Sequence, residues 1–354
     1  MWRAIKVVLI AVAAAVAVTP LPRAVVERLY SRGLYAFVQS RLTPAGNETS
    51  FALFDVALLM VGGAVVAMWI VRLRRTTRGI LRTLPGLVFD TAATAAVLYL
   101  WFLAVWGFNY QRQPLRTQLD FQETRITRDA LRALAARNVA LLNSQYDAAH
   151  RSGWPEIDQT ARLLEPAFSR AQRELGMEWQ AVAGRPKRSL LNFYFTRVAI
   201  DGMTDPFFLE TLASQSLLPF ERPFVVAHEW GHLAGYADES EASFVGWLIC
   251  MRGPVSAQYS AWLSLYGTVF NALPSGDRSE IARALQRGPR EDLRAIAERL
   301  RRQTVPAASR AGYALYDRFL KANRVQAGIR SYDEVLRLLL GTRFTEDGAP
   351  VLSP

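Results

Sequence analysis

The sequence predicts a mainly α protein: three N-terminal transmembrane helices, then a mostly helical water-exposed domain with a small β element. Three observations predict this. Apolar stretches of bilayer length fill the first third of the chain. After residue 113 charged residues return at helical spacing. Finally, two of only three histidines stand four residues apart around a glutamate, in His228-Glu229-Trp230-Gly231-His232. Positions i and i+4 lie one above the other on a helix face, so both imidazoles can reach one metal ion.

The membrane anchor is expected over residues 1–112. Its first span, about 4–21, follows Arg3 and contains Lys6. A basic start and an apolar run also fit a signal peptide. Thr19-Pro20-Leu21-Pro22 offers no small-residue cleavage site, however, so an uncleaved anchor is expected. Residues 23–43 form an amphipathic helix in which Val26, Leu29, Tyr30, Leu34, Phe37 and Val38 keep helical spacing. The membrane interface or the domain can take that apolar face. The second and third spans are expected at about 51–71 and 84–107. Asp55 and Asp90 lie near their ends, which points to interfacial or helix–helix contacts. Tyr99, Trp101, Phe102, Trp106, Phe108 and Tyr110 read as an aromatic belt at the exit of the third span.

Topology follows from charge. Arg72, Arg74, Arg75, Arg78 and Arg82 lie between spans two and three with no acid among them. The positive-inside rule puts that loop and the N-terminus in the cytoplasm, and everything after residue 110 outside. The expected location is the inner (cytoplasmic) membrane, multi-pass, with an extracytoplasmic domain over 113–354. The segment 22–50 runs against this, because it would be external yet carries four Arg against two Glu.

Composition narrows the function. The net charge is +11, but lysine occurs only at positions 6, 187 and 321, and much of the arginine flanks apolar segments. No basic run is interleaved with aromatics, so nucleic acid is not an expected partner. The lipid bilayer and a peptide or protein substrate are. The single cysteine, Cys250, excludes an intramolecular disulfide framework and a Cys-rich zinc site.

Within the domain, helices are expected at about 128–149, 156–175, 276–287, 289–303, 307–323 and 331–340. The apolar stretch 255–273 holds Gln258, Asn271 and several serines, and reads as a buried core helix instead of a fourth span. A strand is expected to begin near Phe207, and an extended substrate could pair with it. His150 is placed on a solvated helix face, and the tail after residue 341 is expected to be loose.

A catalytic zinc takes three protein ligands and keeps one position for water. His228 and His232 supply two ligands, and Glu229 is the candidate general base. Gly235 suits a left-handed helix cap, after which the chain can turn back and offer a carboxylate from Asp238, Glu239 or Glu241. Counting by three and four from Glu239 gives Ala242, Ser243, Gly246 and Cys250, a small face that lets two helices approach closely. Counting from Glu241 gives Phe244, Val245 and Leu248, which hold helices apart. Glu239 therefore ranks first, Glu241 second and Asp238 third.

The run from His228 to Phe244 resembles an uncharacterised family of bacterial membrane proteins with zincin-like HExxH domains. So do Ser50-Phe-Ala-Leu-Phe-Asp55, Trp106-Gly-Phe-Asn-Tyr-Gln-Arg112 and Tyr316-Asp-Arg-Phe-Leu-Lys-Ala-Asn323. The resemblance implies a membrane-anchored, zincin-like metallopeptidase domain and no substrate. Glu239-Ser-Glu-Ala242-Ser243 is also similar to the E-x-x-A-[DN] motif of HExxH peptidases of the CAAX-prenyl-protease and ImmA/IrrE types, whose glutamate binds metal. Ser243 departs from that motif, which leaves its contact to a histidine open.

The function expected is a membrane-anchored zinc hydrolase, a metalloprotease of the cell envelope. Zinc would be held by His228, His232 and Glu239, with Glu229 moving the water's proton. The alternatives are a non-catalytic zincin-fold scaffold and a zinc hydrolase of a non-peptide envelope substrate. Tyr313, Tyr316 and Arg310 are possible oxyanion stabilisers. The apolar run Phe224–Ala227 is too short, and too closely flanked by charge, for the site to lie within a span.

Overall fold

The computed structural model describes residues 1–76, 79–323 and 334–353, and among them the chain is mainly helical. The helices α4 (Leu53–Arg75) and α5 (Ile80–Val105) are each long and apolar enough to cross a membrane. The first helix, α1 (Trp2–Val18), is shorter than the expected span because the chain turns at Pro20 and Pro22. It reaches spanning length only when taken together with the helix that follows, from which it is bent by 114°. Among the described residues, two helices are therefore long and apolar enough to cross a membrane, or three if the bent pair counts as one. α4 leads away from the domain and α5 returns to it. Arg72, Arg74, Arg75 and Arg82 thus gather at the remote end, while Arg78 lies outside the described residues.

The two carboxylates on these apolar helices have different partners. Asp90 pairs with Lys6 at 2.6 Å and with Arg72, which ties α1, α4 and α5 together. Asp55, in the first turn of α4, contacts the domain instead. It accepts hydrogen bonds from the Ser189 hydroxyl at 2.7 Å and the Leu190 N–H at 2.8 Å.

Residues Arg23–Asn47 form one continuous helix: α2 (Arg23–Val25), a π-helical stretch (Val26–Leu34) and α3 (Tyr35–Asn47). One face, with Val26, Tyr30, Tyr35, Gln39 and Thr43, is buried against the domain. Gln39 exchanges two hydrogen bonds with the Val182 backbone, and Thr43 donates to Leu209 O at 2.9 Å. The opposite face leaves Leu29, Leu34 and Phe37 exposed.

The domain is built around two helices, α9 (Arg222–Leu233) and α10 (Glu239–Met251). α6 (Arg128–Arg151), α7 (Ile157–Glu174) and α11 (Val255–Ala272) surround them. α12 (Ser275–Ala284), α13 (Arg287–Gln303), α14 (Pro306–Ala322) and α15 (Val335–Gly341) complete the shell. These lie within a few residues of the expected helices, except that the expected start of the last one, 331–333, is outside the described residues. α11 is a core helix, with Tyr259, Ala261 and Trp262 buried. The short α8 (Asn192–Val198) has no counterpart in the sequence reading, because seven residues show too little periodicity.

The β element is a three-stranded sheet of β1 (Pro186–Lys187), β2 (Gly202–Thr204) and β3 (Thr211–Ala213), in the order β1-β3-β2. β1 runs parallel to β3 and β2 antiparallel. Two expectations are corrected here. The strand starts at Thr211, because the Asp205 carboxylate takes the Phe207 and Phe208 N–H groups into a turn and Leu209 adopts φ 57°. And β3 is central with both edges paired, so it has no edge free for a substrate.

Two further expectations need correction. The tail is not loose: Val351 O accepts from Asp120 N–H at 2.8 Å and Gln118 O from Ser353 N–H at 3.0 Å. His150 is only partly exposed: its Nε2 lies 2.9 Å from Asp292 and its ring packs among Tyr146, Trp154 and Tyr259. The aromatics at the end of α5, expected as a belt, dock onto the domain. Phe102 meets Phe207 and Phe319, and Trp101 Nε1 donates to Phe207 O at 3.0 Å.

Candidate metal centre

α9 begins on Arg222-Pro223, where proline suits a first turn that needs no N–H. It ends in a Schellman turn: Gly235, at φ 87°, donates to His232 O, and Tyr236 N–H donates to Gly231 O. That reversal returns the chain to Asp238, which caps α10 by accepting from the Ser240 and Glu241 N–H groups. Glycine is required at two crossing points between the helices. A Cβ on Gly231 would stand 2.7 Å from Ala242 O, and one on Gly246 would stand 2.8 Å from His228 Cα.

This packing brings His228, His232 and Glu239 together, with candidate ligand atoms all within 4.8 Å of one another. Glu239 Oε2 lies 3.2 Å from His228 Nε2 and 3.4 Å from His232 Nε2. That oxygen is buried and accepts no well-formed hydrogen bond. Both imidazoles are oriented from behind: His232 Nδ1 lies 2.7 Å from Tyr236 O, and His228 Nδ1 lies 3.1 Å from Ser243 Oγ. A carbonyl accepts only from N–H, so His232 carries a proton on Nδ1, and in the neutral ring the Nε2 lone pair faces the centre. Ser243 thus makes the contact that the departure from Asp or Asn left open.

The other carboxylates face elsewhere. Glu241 Oε1 accepts the Leu115 N–H at 2.6 Å, and Asp238 is engaged as the helix cap. Glu229 is buried next to the group but outside it. Its Oε2 accepts from Thr204 Oγ1 at 2.9 Å, and the Thr204 hydroxyl also lies 2.9 Å from Glu229 O. Gly202 on β2 leaves room for the other carboxylate oxygen, since a Cβ there would meet Glu229 Oε1 at 2.5 Å.

Electrostatics follow from burial and crowding. Burial pulls the His232 pKa down, but Glu239 and Glu229 outweigh it and raise the pKa to about 9. Burial pushes Glu239 up, yet His232 and His228 together hold it well below the usual carboxylate range. Burial raises Glu229, against the two histidines and Thr204. Burial and Asp238 raise Glu241 to about 8.

Several further residues support the group. Tyr316, on α14, donates its hydroxyl to Glu239 Oε1. Of the three suggested oxyanion stabilisers, it is the one seen on the group. Trp106 places its ring 6.0 Å from that of His232. Tyr35 donates to Leu233 O at 2.9 Å, at the end of α9. Arg112 clasps Glu27, donates to Gly235 O at 2.9 Å and lies over the Tyr236 ring. Trp106 and Arg112 belong to a motif the sequence singled out. Tyr35 carried no signal except its place on an apolar face.

The family described as Protein of unknown function (DUF3810) matches residues 30–340, and the chain belongs to it. No curated protein and no solved structure matches the chain significantly. The match starts within the helix Arg23–Asn47 and includes α9, α10 and Tyr316.

Proposed function

We propose that this member of the family is a membrane-anchored, zincin-like zinc metallopeptidase that cleaves peptide bonds outside the cytoplasmic membrane. The carrying observation is the buried Glu239 Oε2, which faces the Nε2 atoms of two imidazoles, each held from behind through Nδ1. Two histidines and a carboxylate are a donor set that suits zinc and leaves a position open.

Zinc held by His228, His232 and Glu239 would supply Lewis acidity to a scissile carbonyl and make a water molecule a better nucleophile. Glu229, raised by burial and braced by Thr204, takes the proton from that water and passes it to the leaving amine. Tyr316 orients Glu239 through the hydroxyl it donates to Oε1. β2 pairs only with β3 among the described residues and lies against α9. Its outer edge is therefore the one an extended peptide could add to.

The test is metal content of the full-length protein, purified in detergent without chelators. About one zinc per chain is expected, lost in His228→Ala. A folded protein without zinc would overturn the reading.

A further inference from the structure

We propose that the His228–His232–Glu239 group works at the bilayer surface, on polypeptide anchored in the same membrane, with the outer faces of α8 and α14 resting on lipid headgroups. The substrate class rests on the peptidase reading above. The lipid contact stands on geometry alone.

The position of the group comes from the two apolar helices. Asp55 in the first turn of α4 is bonded to Ser189 and Leu190, so the loop entering α8 lies where α4 leaves the domain. At the end of α5, Trp101 is 45% exposed and bonded to Phe207 O, and it marks the matching level on the second helix. Trp106, about five residues further, packs on His232. At 1.5 Å per residue that is a rise of about 7.5 Å. The group therefore lies on the order of ten ångströms from that level, a distance that extended chain covers in a few residues.

The surface between the group and that level is apolar. On the α8 side Leu190 is 68% and Phe193 67% exposed, and on α14 Leu315 is 66% exposed. The two helices touch where Gly312 packs against Val198 and Tyr194. From there α14 runs past Glu239, through Tyr316, to Phe319, which contacts Phe102 on α5. The exposed side chains are thus continuous with the lipid-facing surfaces of α4 and α5. Arginines flank them: Arg188, Arg310 and Arg318 are exposed, and Arg197 stacks on the Phe193 ring. Apolar side chains rimmed by arginine at a membrane boundary match acyl chains below and lipid phosphates above. The outer face of the helix Arg23–Asn47 repeats this pattern, with Leu29 and Phe37 exposed and Arg41 over Phe37. That helix is bent 114° from α1, and its C-terminal end leads into the start of α4.

The test uses the full chain in lipid vesicles. Cys250, the single native thiol, is fully buried, so Phe193→Cys and Leu315→Cys can each carry a polarity-sensitive fluorophore. Quenching by spin-labelled lipid and protection from iodide are expected at both positions, with the reverse at Arg301→Cys on α13. Iodide access at 193 and 315 overturns the proposal. So does protection from both quenchers, which would mean that protein covers the face. The second arm uses two reporters with the same membrane anchor and the same cleavable sequence, placed about five or about twenty-five residues from the bilayer. Sharing an anchor, they share an effective concentration. At least tenfold faster cleavage of the near reporter is expected. Equal rates overturn the substrate class. Cleavage of neither by the zinc-loaded protein overturns the peptidase reading and the substrate class with it, whatever the fluorophores report.

Discussion

Gly246 lies so close to His228 that a Cβ on the glycine would stand 2.8 Å from both the backbone N and the Cα of the histidine. The crossing is matched at Gly231, which has the same relation to the Ala242 backbone. Two glycines on facing helices thus set the distance at which Glu239 meets the two imidazoles. A bulkier pair would move the carboxylate away by the width of a methyl group, and the site would cease to be a site.

Gly246→Ala is therefore expected to lower stability by about 1–3 kcal/mol, because the clash is with backbone and no rotamer relieves it. Gly267→Ala, in α11 with open space around it, is the control. It removes a helix-interior glycine and should be neutral or stabilise by up to about 1 kcal/mol. Thermal unfolding of both variants checks this. A neutral Gly246→Ala would mean that the helices can separate without cost.

That small face was legible in the sequence, and for a physical reason: in a helix, spacing alone says which residues share a face. Spacing likewise placed α9, through its two histidines, and the core helix α11 was read from an apolar stretch holding Gln258 and Asn271. Such reading failed where structure depends on contacts distant in sequence. Nothing local in residues 342–353 says that they will bond to 118–122, and nothing local in Tyr35 says that it will reach Leu233. The strand at Thr211 was placed too early because Phe207 and Phe208 carry β propensity, while Asp205 imposes a turn on them.

The three acidic candidates can be separated by metal content. Glu239→Gln is expected to lose most of its zinc. Asp238→Asn keeps an N-cap, and Glu241→Gln keeps an acceptor for Leu115, so both should retain about one zinc per chain. Loss of metal from Glu241→Gln in a protein of unchanged Tm would move the third ligand to that residue.

Ser243 gives a graded test. Its hydroxyl meets His228 Nδ1 at 3.1 Å, on the side of the ring away from Glu239. Ser243→Ala should weaken zinc binding by roughly 10-fold to 100-fold, read by chelator competition, with little change in Tm for the metal-free protein. Ser243→Asp, which supplies a carboxylate acceptor, should bind at least as tightly as the parent. An unchanged affinity in Ser243→Ala would show that the His228 ring is oriented by other contacts.

Catalysis and metal binding separate at Glu229. Glu229→Gln keeps the size of the side chain and removes its basicity, so zinc content should stay near one per chain while kcat falls roughly 10²-fold to 10⁴-fold. Thr204→Val removes the hydroxyl that braces the carboxylate and should lower kcat by about tenfold with zinc retained. A Glu229→Gln protein that keeps full activity would exclude this residue as the base.

Asp205 supplies a pH test away from the metal group. Burial, opposed by the Phe207 and Phe208 N–H groups, raises its pKa from 3.8 to about 7. The folded protein therefore holds this proton more tightly than the unfolded chain does. By linkage, the fold is most favoured at this group below about pH 4, and that contribution is lost as pH rises from about 4 through 7. The full span corresponds to about 4 kcal/mol at most. Asp205→Asn cannot ionise, so its Tm should vary less with pH across this window than that of the parent. It should be the more stable of the two at pH 8 if an amide oxygen can replace the carboxylate at one of the two N–H groups. Parallel Tm curves for parent and variant from pH 4 to 8 would mean that Asp205 stays ionised in the fold. The turn before β3 would then rest on a buried charge held by the two backbone donors alone.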